Sequence, residues 1–176
     1  MKCLPVFAML MCCAVWGNAA SVRKHHRRPL QRGPLDNSET WNNLRAVAEH
    51  AQEMDRNHTT RLIPLMSQEK LKNKESCCMH ANILNYYIRN VLTKQGDHHE
   101  RLPIVKDDLE RVEKDLKEHA KCDPRKYDEN EYNQKFRANY EAAGIKASIK
   151  AISEIDILFH YLYESCNYSL EIRAGN

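Results

Sequence analysis

Between Leu102 and Leu116 the apolar residues step by 3, 4, 3 and 4: Leu102, Val105, Leu109, Val112 and Leu116, with acids and bases between them. That spacing lays one narrow apolar stripe along an α-helix, the seam of a helix packed in a bundle. Pro103 fits the first turn, where a missing N–H costs nothing, and Pro124 lies beyond the end. No run alternates apolar and polar residues long enough for a sheet, so the other segments are read by the same helical rule. Trp41, Leu44, Ala48 and Ala51 share a face in a segment that Asp36 or Ser38 can cap and that runs to about Arg56. Asn57-His58-Thr59 marks a loop, and Pro64 forbids regular helix through Arg61-Leu62-Ile63. A second long segment runs from near Ser76 to Gly96, with Ile83, Leu84, Tyr87, Ile88, Val91 and Leu92 as its stripe. Tyr132, Phe136 and Tyr140 mark a shorter helix. Gly144 separates it from a last one, where Ile145, Ile149, Ile152, Ile155, Phe159, Leu162 and Cys166 form a core face. The expected fold is all-α, a bundle of about six helices with four long ones.

The first twenty residues read as a secretory signal peptide. Lys2 is a minimal positive region, Leu4 to Trp16 is almost wholly apolar, and Gly17, Ala19 and Ala20 are small, which places cleavage after Ala20. The apolar run is short for a bilayer span. Residues 21–37 form a flexible basic segment with Arg23, Lys24, Arg27, Arg28 and Arg32 around His25 and His26; residues 38–176 are the helical domain. A charge block of this kind is usually solvated; the functional alternative is a weak contact with anionic glycans through Arg23–Arg32. The expected location is extracellular. Overall charge is nearly balanced, at +3 for the whole chain, which argues against a nucleic-acid binder.

Of seven cysteines, Cys77, Cys78, Cys122 and Cys166 remain after removal of the leader. An even number in an oxidising compartment reads as two disulfides. Three pairings are open, and direct bridging of Cys77 to Cys78 is the disfavoured one because it strains the intervening peptide. Zinc ligation is also disfavoured, since structural zinc sites use short Cys-x-x-Cys spacings. Asn57-His58-Thr59 and Asn167-Tyr168-Ser169 are glycosylation sequons at Asn57 and Asn167.

Catalytic signatures are missing. There is no Gly-x-Ser-x-Gly, no Gly-rich phosphate loop and no His-Glu-x-x-His. Cys77-Cys78-Met79-His80 has a partial likeness to the active-site helix of secreted phospholipases A2, but the histidine falls one residue early and Ala81 stands where the acid is needed. His80 is therefore expected on a helix surface. His98/His99, like His25/His26, sits in a polar loop. A surface metal site is the alternative to plain solvation there, and no acidic or cysteine ligand at helical spacing completes a shell. No enzyme activity, cofactor or metal is expected.

The last helix carries a more specific signal. Gly144-Ile145-Lys146 followed by Lys150-Ala151-Ile152-Ser153-Glu154-Ile155-Asp156-Ile157-Leu158-Phe159 closely resembles the C-terminal helix of the interleukin-10 family of helical cytokines. Arg61-Leu62-Ile63 and Cys77-Cys78-Met79-His80-Ala81-Asn82-Ile83-Leu84 resemble the segment after the first helix and the third helix of one branch of that family, especially its fish forms. A second branch shares the last-helix motif. The similarity runs from about Asp36 to Cys166.

The resemblance implies a six-helix cytokine with Cys77–Cys166 and Cys78–Cys122 bridges. It implies binding to a two-chain class II receptor, made of a specific chain and the shared interleukin-10 receptor beta chain, and signalling through Janus kinases and STAT factors in epithelial defence. A soluble binding protein is a further implied partner. The specific chain would meet Thr59, Thr60 and Arg61 in the loop, and Lys150 and Glu154 on the last helix. The shared chain would meet exposed faces of the first, third and fourth helices, near Trp41 or Thr40. Lys150 and Glu154 stand i, i+4 and can pair on the helix surface, and Arg61 offers a planar fork. The alternative is intramolecular: these charges hold the loop against the last helix, and Trp41 belongs to the core. Two features depart from mammalian members. No cysteine lies between residues 21 and 76, and Asn85-Tyr86-Tyr87 is not a sequon.

Overall fold

Asparagines start three of the helices. Asn37 Oδ1 accepts the Glu39 amide at 2.9 Å, Asn73 the Glu75 amide at 3.1 Å and Asn130 the Tyr132 amide at 3.0 Å, each satisfying a donor that the first turn leaves open. The computed structural model describes residues 33–55, 59–93 and 99–174, with side chains as far as Cys166. The expected leader, the basic residues to Arg32, the Asn57 sequon and the Asn167 side chain lie outside the described residues.

Seven α-helices are present among the described residues, with no strand: α1 Ser38–Met54, α2 Gln68–Leu71, α3 Lys74–Tyr86, α4 Leu102–Glu118, α5 Glu131–Ala142, α6 Ala147–Ser153 and α7 Ile155–Ala174. A wider π turn, Tyr87–Val91, extends α3. Against an expectation of about six, the five segments named from the sequence become seven, because a short α2 forms after Pro64 and the last helix breaks. The cap of α1 is Asn37, not Asp36 or Ser38: Asp36 closes a 3₁₀ turn, Pro34–Asp36, and Ser38 is already helical. That turn buries Pro34 and Leu35, so the basic lead-in expected to extend to residue 37 gives way to structure before then.

The bundle packs α3 along α7, α1 along α6 and α4, and α5 across α3 and α6. The seam of α4 is buried throughout, and Leu44, Ile83, Leu84, Tyr87, Phe136, Ile155, Phe159 and Leu162 fill the centre. The stripe of the last helix departs from expectation at its start. Ile145 is fully exposed and Ile149 half-buried, because Gly144 turns the chain at φ +61 and the 3₁₀ turn Gly144–Lys146 faces outward. Two disulfides staple the bundle. Cys77–Cys166 joins α3 to α7 across 89 residues, and Cys78–Cys122 joins α3 to the segment after α4 across 44. In the loop-entropy model such closures are worth about 4–5 kcal/mol each at most.

Candidate functional site

The loop that leaves α1 runs over the junction of α6 and α7 and is fastened there by one carboxylate. Leu62 N–H donates to Glu154 Oε1 and Oε2 at 3.1 and 3.0 Å, and Ile63 N–H donates to Oε2 at 3.0 Å. Glu154 itself leaves the helical conformation, at φ −109 and ψ 11, and this is the break between α6 and α7. No Gly or Pro marks it in the sequence. Lys150 Nζ lies 3.3 Å from Glu154 Oε1 and 3.0 Å from Asp55 Oδ2, at the end of α1. Ser153 Oγ sits 3.2 Å from Asp55 Oδ2, and Gln52 Nε2 donates to Ser153 O at 2.9 Å.

This corrects the expected placement of Lys150 and Glu154. They pair, but not on a helix surface: they are only 8% and 5% exposed, and Asp55 is 5% exposed. Two carboxylates share one ammonium, and the loop amides take the remaining carboxylate lone pairs. A buried charge survives only when it is so partnered. The intramolecular role is thus a fact of the fold.

From the other side α5 holds the same loop. Asn139 Nδ2 donates to the carbonyls of Arg61 and Leu62 at 3.1 Å each, and Tyr132 O–H donates to Pro64 O at 2.8 Å. Between these fastenings Arg61 is exposed. Its Nε–H donates to Ile63 O at 2.9 Å and one Nη2–H to Tyr161 Oη at 3.2 Å, so the fork is oriented from within the protein while the residue stays exposed. Thr59 is exposed and Thr60 half-buried.

Arg61 edges a groove of about 390 Å³ with Trp41 and Arg45 of α1 and Asp156, His160 and Tyr161 of α7. Burial raises the Asp156 carboxyl above its usual range, while the Arg45 and Arg61 guanidiniums pull against that shift. Trp41 is half-buried: its ring edge meets Phe159 at 4.6 Å and its N–H donates to Leu35 O at 2.9 Å. It therefore serves the core on one side and walls the groove on the other. Thr40 is buried, its hydroxyl donating to Asp108 Oδ2 at 2.6 Å, and so cannot be an exposed contact. Arg45, Asp156 and His160 were not singled out from sequence, although Asp156 lies within the last-helix motif and Arg45 one turn beyond Trp41.

His80 also departs from expectation. It is 0% exposed, with Nδ1 3.2 Å from Ser165 Oγ and Nε2 3.2 Å from Tyr132 Oη. Burial lowers its pKa to about 3, so the ring is neutral.

Residues 31–166 match the model of the family described as Interleukin 22 IL-10-related T-cell-derived-inducible factor. The chain belongs to the interleukin-22 family. The crystal structure of zebrafish IL-22 is similar at 39% identity and a TM-score of 0.65, over 76% of this chain and 95% of that chain. No curated protein matches. Membership of the interleukin-22 family makes the chain a cytokine of the interleukin-10 group. The branch matched is interleukin-22, not interleukin-26, with which the last-helix motif is shared. Among the described residues no helix is long and apolar enough to cross a membrane.

Proposed function

We propose that this chain is a secreted cytokine. It engages an interleukin-22 receptor-like chain through the loop–α7 surface and then the shared interleukin-10 receptor beta chain, and it triggers Janus kinase and STAT signalling in epithelial defence. Family membership supports class II receptor chains as the partner type, and the leader ending at Ala20 supports secretion. One observation carries the location of the surface. The loop bearing Arg61 is locked by Glu154, Asn139 and Tyr132, yet Arg61 stays exposed at the edge of the Trp41–Asp156 groove. A preorganised fork loses less freedom on binding than a free one, and Arg anchors of this kind are frequent binding hot spots.

In this reading Arg61, Thr59, Thr60 and the outer edge of Trp41 touch the receptor. Lys150 and Glu154 are positioning residues that hold Arg61 in place. Glycans at Asn57 would stand beside the same loop. The shared chain takes the exposed faces of α1, α3 and α4.

The test is STAT phosphorylation in epithelial cells of the source species. Full-length chain, Arg61→Ala and a form lacking residues 21–31, which spares the buried Leu35, are compared. Arg61→Ala should raise the half-maximal dose at least tenfold, and the truncation should leave it unchanged. Activity lost with the truncation and kept in Arg61→Ala would instead mark a cationic effector that works through its basic lead-in.

A further inference from the structure

The fold brings together two histidines from segments that are far apart in sequence. His50 lies on α1 and His99 just ahead of α4, and their rings meet edge to face with centroids 5.5 Å apart. We propose that His50 and His99 form a binding site for a divalent transition metal of the zinc class.

Two imidazoles on one tetrahedral zinc, with bonds of about 2.0–2.1 Å, hold their ring centroids roughly 5.2 Å apart. The rings already stand at nearly that separation, so loading needs ring rotation and little backbone movement. Both side chains are half-buried, which limits their freedom while leaving an approach from solvent. Imidazole nitrogen suits zinc, copper and nickel, and does not suit calcium or magnesium. Along the chain Glu49 and Glu53 flank His50, and Glu100 and Arg101 follow His99. No group of three or more His, Cys, Asp or Glu able to hold a metal occurs among the described residues. The proposed site therefore draws two ligands from the described residues, His50 and His99, with water able to complete the shell.

The hydrogen bonding sets one requirement. His99 Nδ1 accepts the Arg101 amide at 3.1 Å, which places the proton of the neutral ring on Nε2. Metal at Nε2 moves that proton to Nδ1 through solvent, with no net proton lost, and the ring turns away from the Arg101 amide, which the turn closed by Leu102 N–H on His99 O holds in place. A bound ion would clamp the second half of α1 to the start of α4, two helices that already pack together.

The test is a calorimetric titration of the chain without its leader with zinc chloride. His50→Gln, His99→Gln, a control His119→Gln and a His25→Gln/His26→Gln form are run alongside, each checked for fold by circular dichroism. One saturable equivalent is expected. His50→Gln and His99→Gln should each weaken it at least tenfold, and the two other forms should leave it unchanged. In the unmodified chain, nitrogen NMR should show the His99 proton move from Nε2 to Nδ1 on zinc addition, a readout independent of any variant. Absence of binding at millimolar zinc, an unmoved His99 proton, or binding that survives both substitutions would overturn the site. So would loss of binding in the His25→Gln/His26→Gln form while His99→Gln binds normally.

Discussion

Acid should destabilise this cytokine through one imidazole. His80 is enclosed by α3, α5 and α7, and its two nitrogens face the hydroxyls of Ser165 and Tyr132. Those hydroxyls also contact backbone carbonyls, Ser165 at Tyr161 O and Tyr132 at Pro64 O, so the neutral ring is part of a network tying the loop to the bundle. The folded pKa of about 3 lies below the ordinary 6.5 of an unfolded chain because burial disfavours the charged ring. The unfolded chain thus binds the proton first as pH falls. The stability contribution is complete above 6.5 and is lost progressively down to about 3. Linkage with these two values gives a loss of about 2 kcal/mol between pH 7 and 5, and about 3 kcal/mol by pH 4. His80→Gln keeps polar atoms for Ser165 and Tyr132 but cannot titrate. Urea unfolding of both forms at pH 7, 6, 5 and 4, disulfides intact, should show stability differences that shrink by these amounts as pH falls. Other carboxylates and histidines cancel in the difference. Parallel curves for the two forms would rule out a role for His80 in acid sensitivity, as would a His80 ring that titrates near 6.5 in the folded chain by NMR.

Other perturbations follow from the packing. Glu154→Gln removes one carboxylate partner of Lys150 and weakens the acceptor for Leu62 and Ile63, so it should cost about 2 kcal/mol. Hydrogen exchange at those two amides should speed up; unchanged protection would mean the carboxylate does not hold the loop. Leu109→Ala, at the fully buried middle of the α4 seam, should cost about 2–5 kcal/mol in urea unfolding, while Lys106→Ala, whose ion pair with Glu110 spans 3.9 Å on the surface, should stay within about 0.5 kcal/mol. Gly144→Ala meets no neighbouring atom but must adopt φ +61, and should lower stability by about 1 kcal/mol through backbone strain alone.

The helices were legible where sequence pattern and burial coincide. The α4 seam and the Phe136–Tyr140 face are buried as their spacing requires, because one helical face can meet only one core. The family, too, was readable from the last-helix motif. Long-range chemistry was not. His80 falls between Cys77 and Leu84 on the buried face of α3, yet a polar residue type gives no sign that Ser165 and Tyr132 wait across the bundle. The Lys150–Glu154 pair was visible at i, i+4, but not that Asp55 and two loop amides complete it. Nor was the helix break at Glu154, where the carboxylate takes the loop amides and no breaker residue stands. The groove beside Arg61 depends on residues from α1 and α7, and only their packing joins Arg45 to Asp156.

In the proposed function a preorganised Arg61 presents the binding surface, with Glu154 as its support. Binding of the purified chain to the ectodomains of the two receptor chains from its own species, by surface plasmon resonance, tests it most directly. Arg61→Ala should keep its circular dichroism and its stability within about 1 kcal/mol, since its own hydrogen bonds are at the surface. It should weaken binding to the specific chain by about tenfold or more. Glu154→Gln should weaken the same binding chiefly through a slower association rate, as the loop must reorder. Full-strength binding by a folded Arg61→Ala variant would contradict the account and move the receptor surface away from this loop.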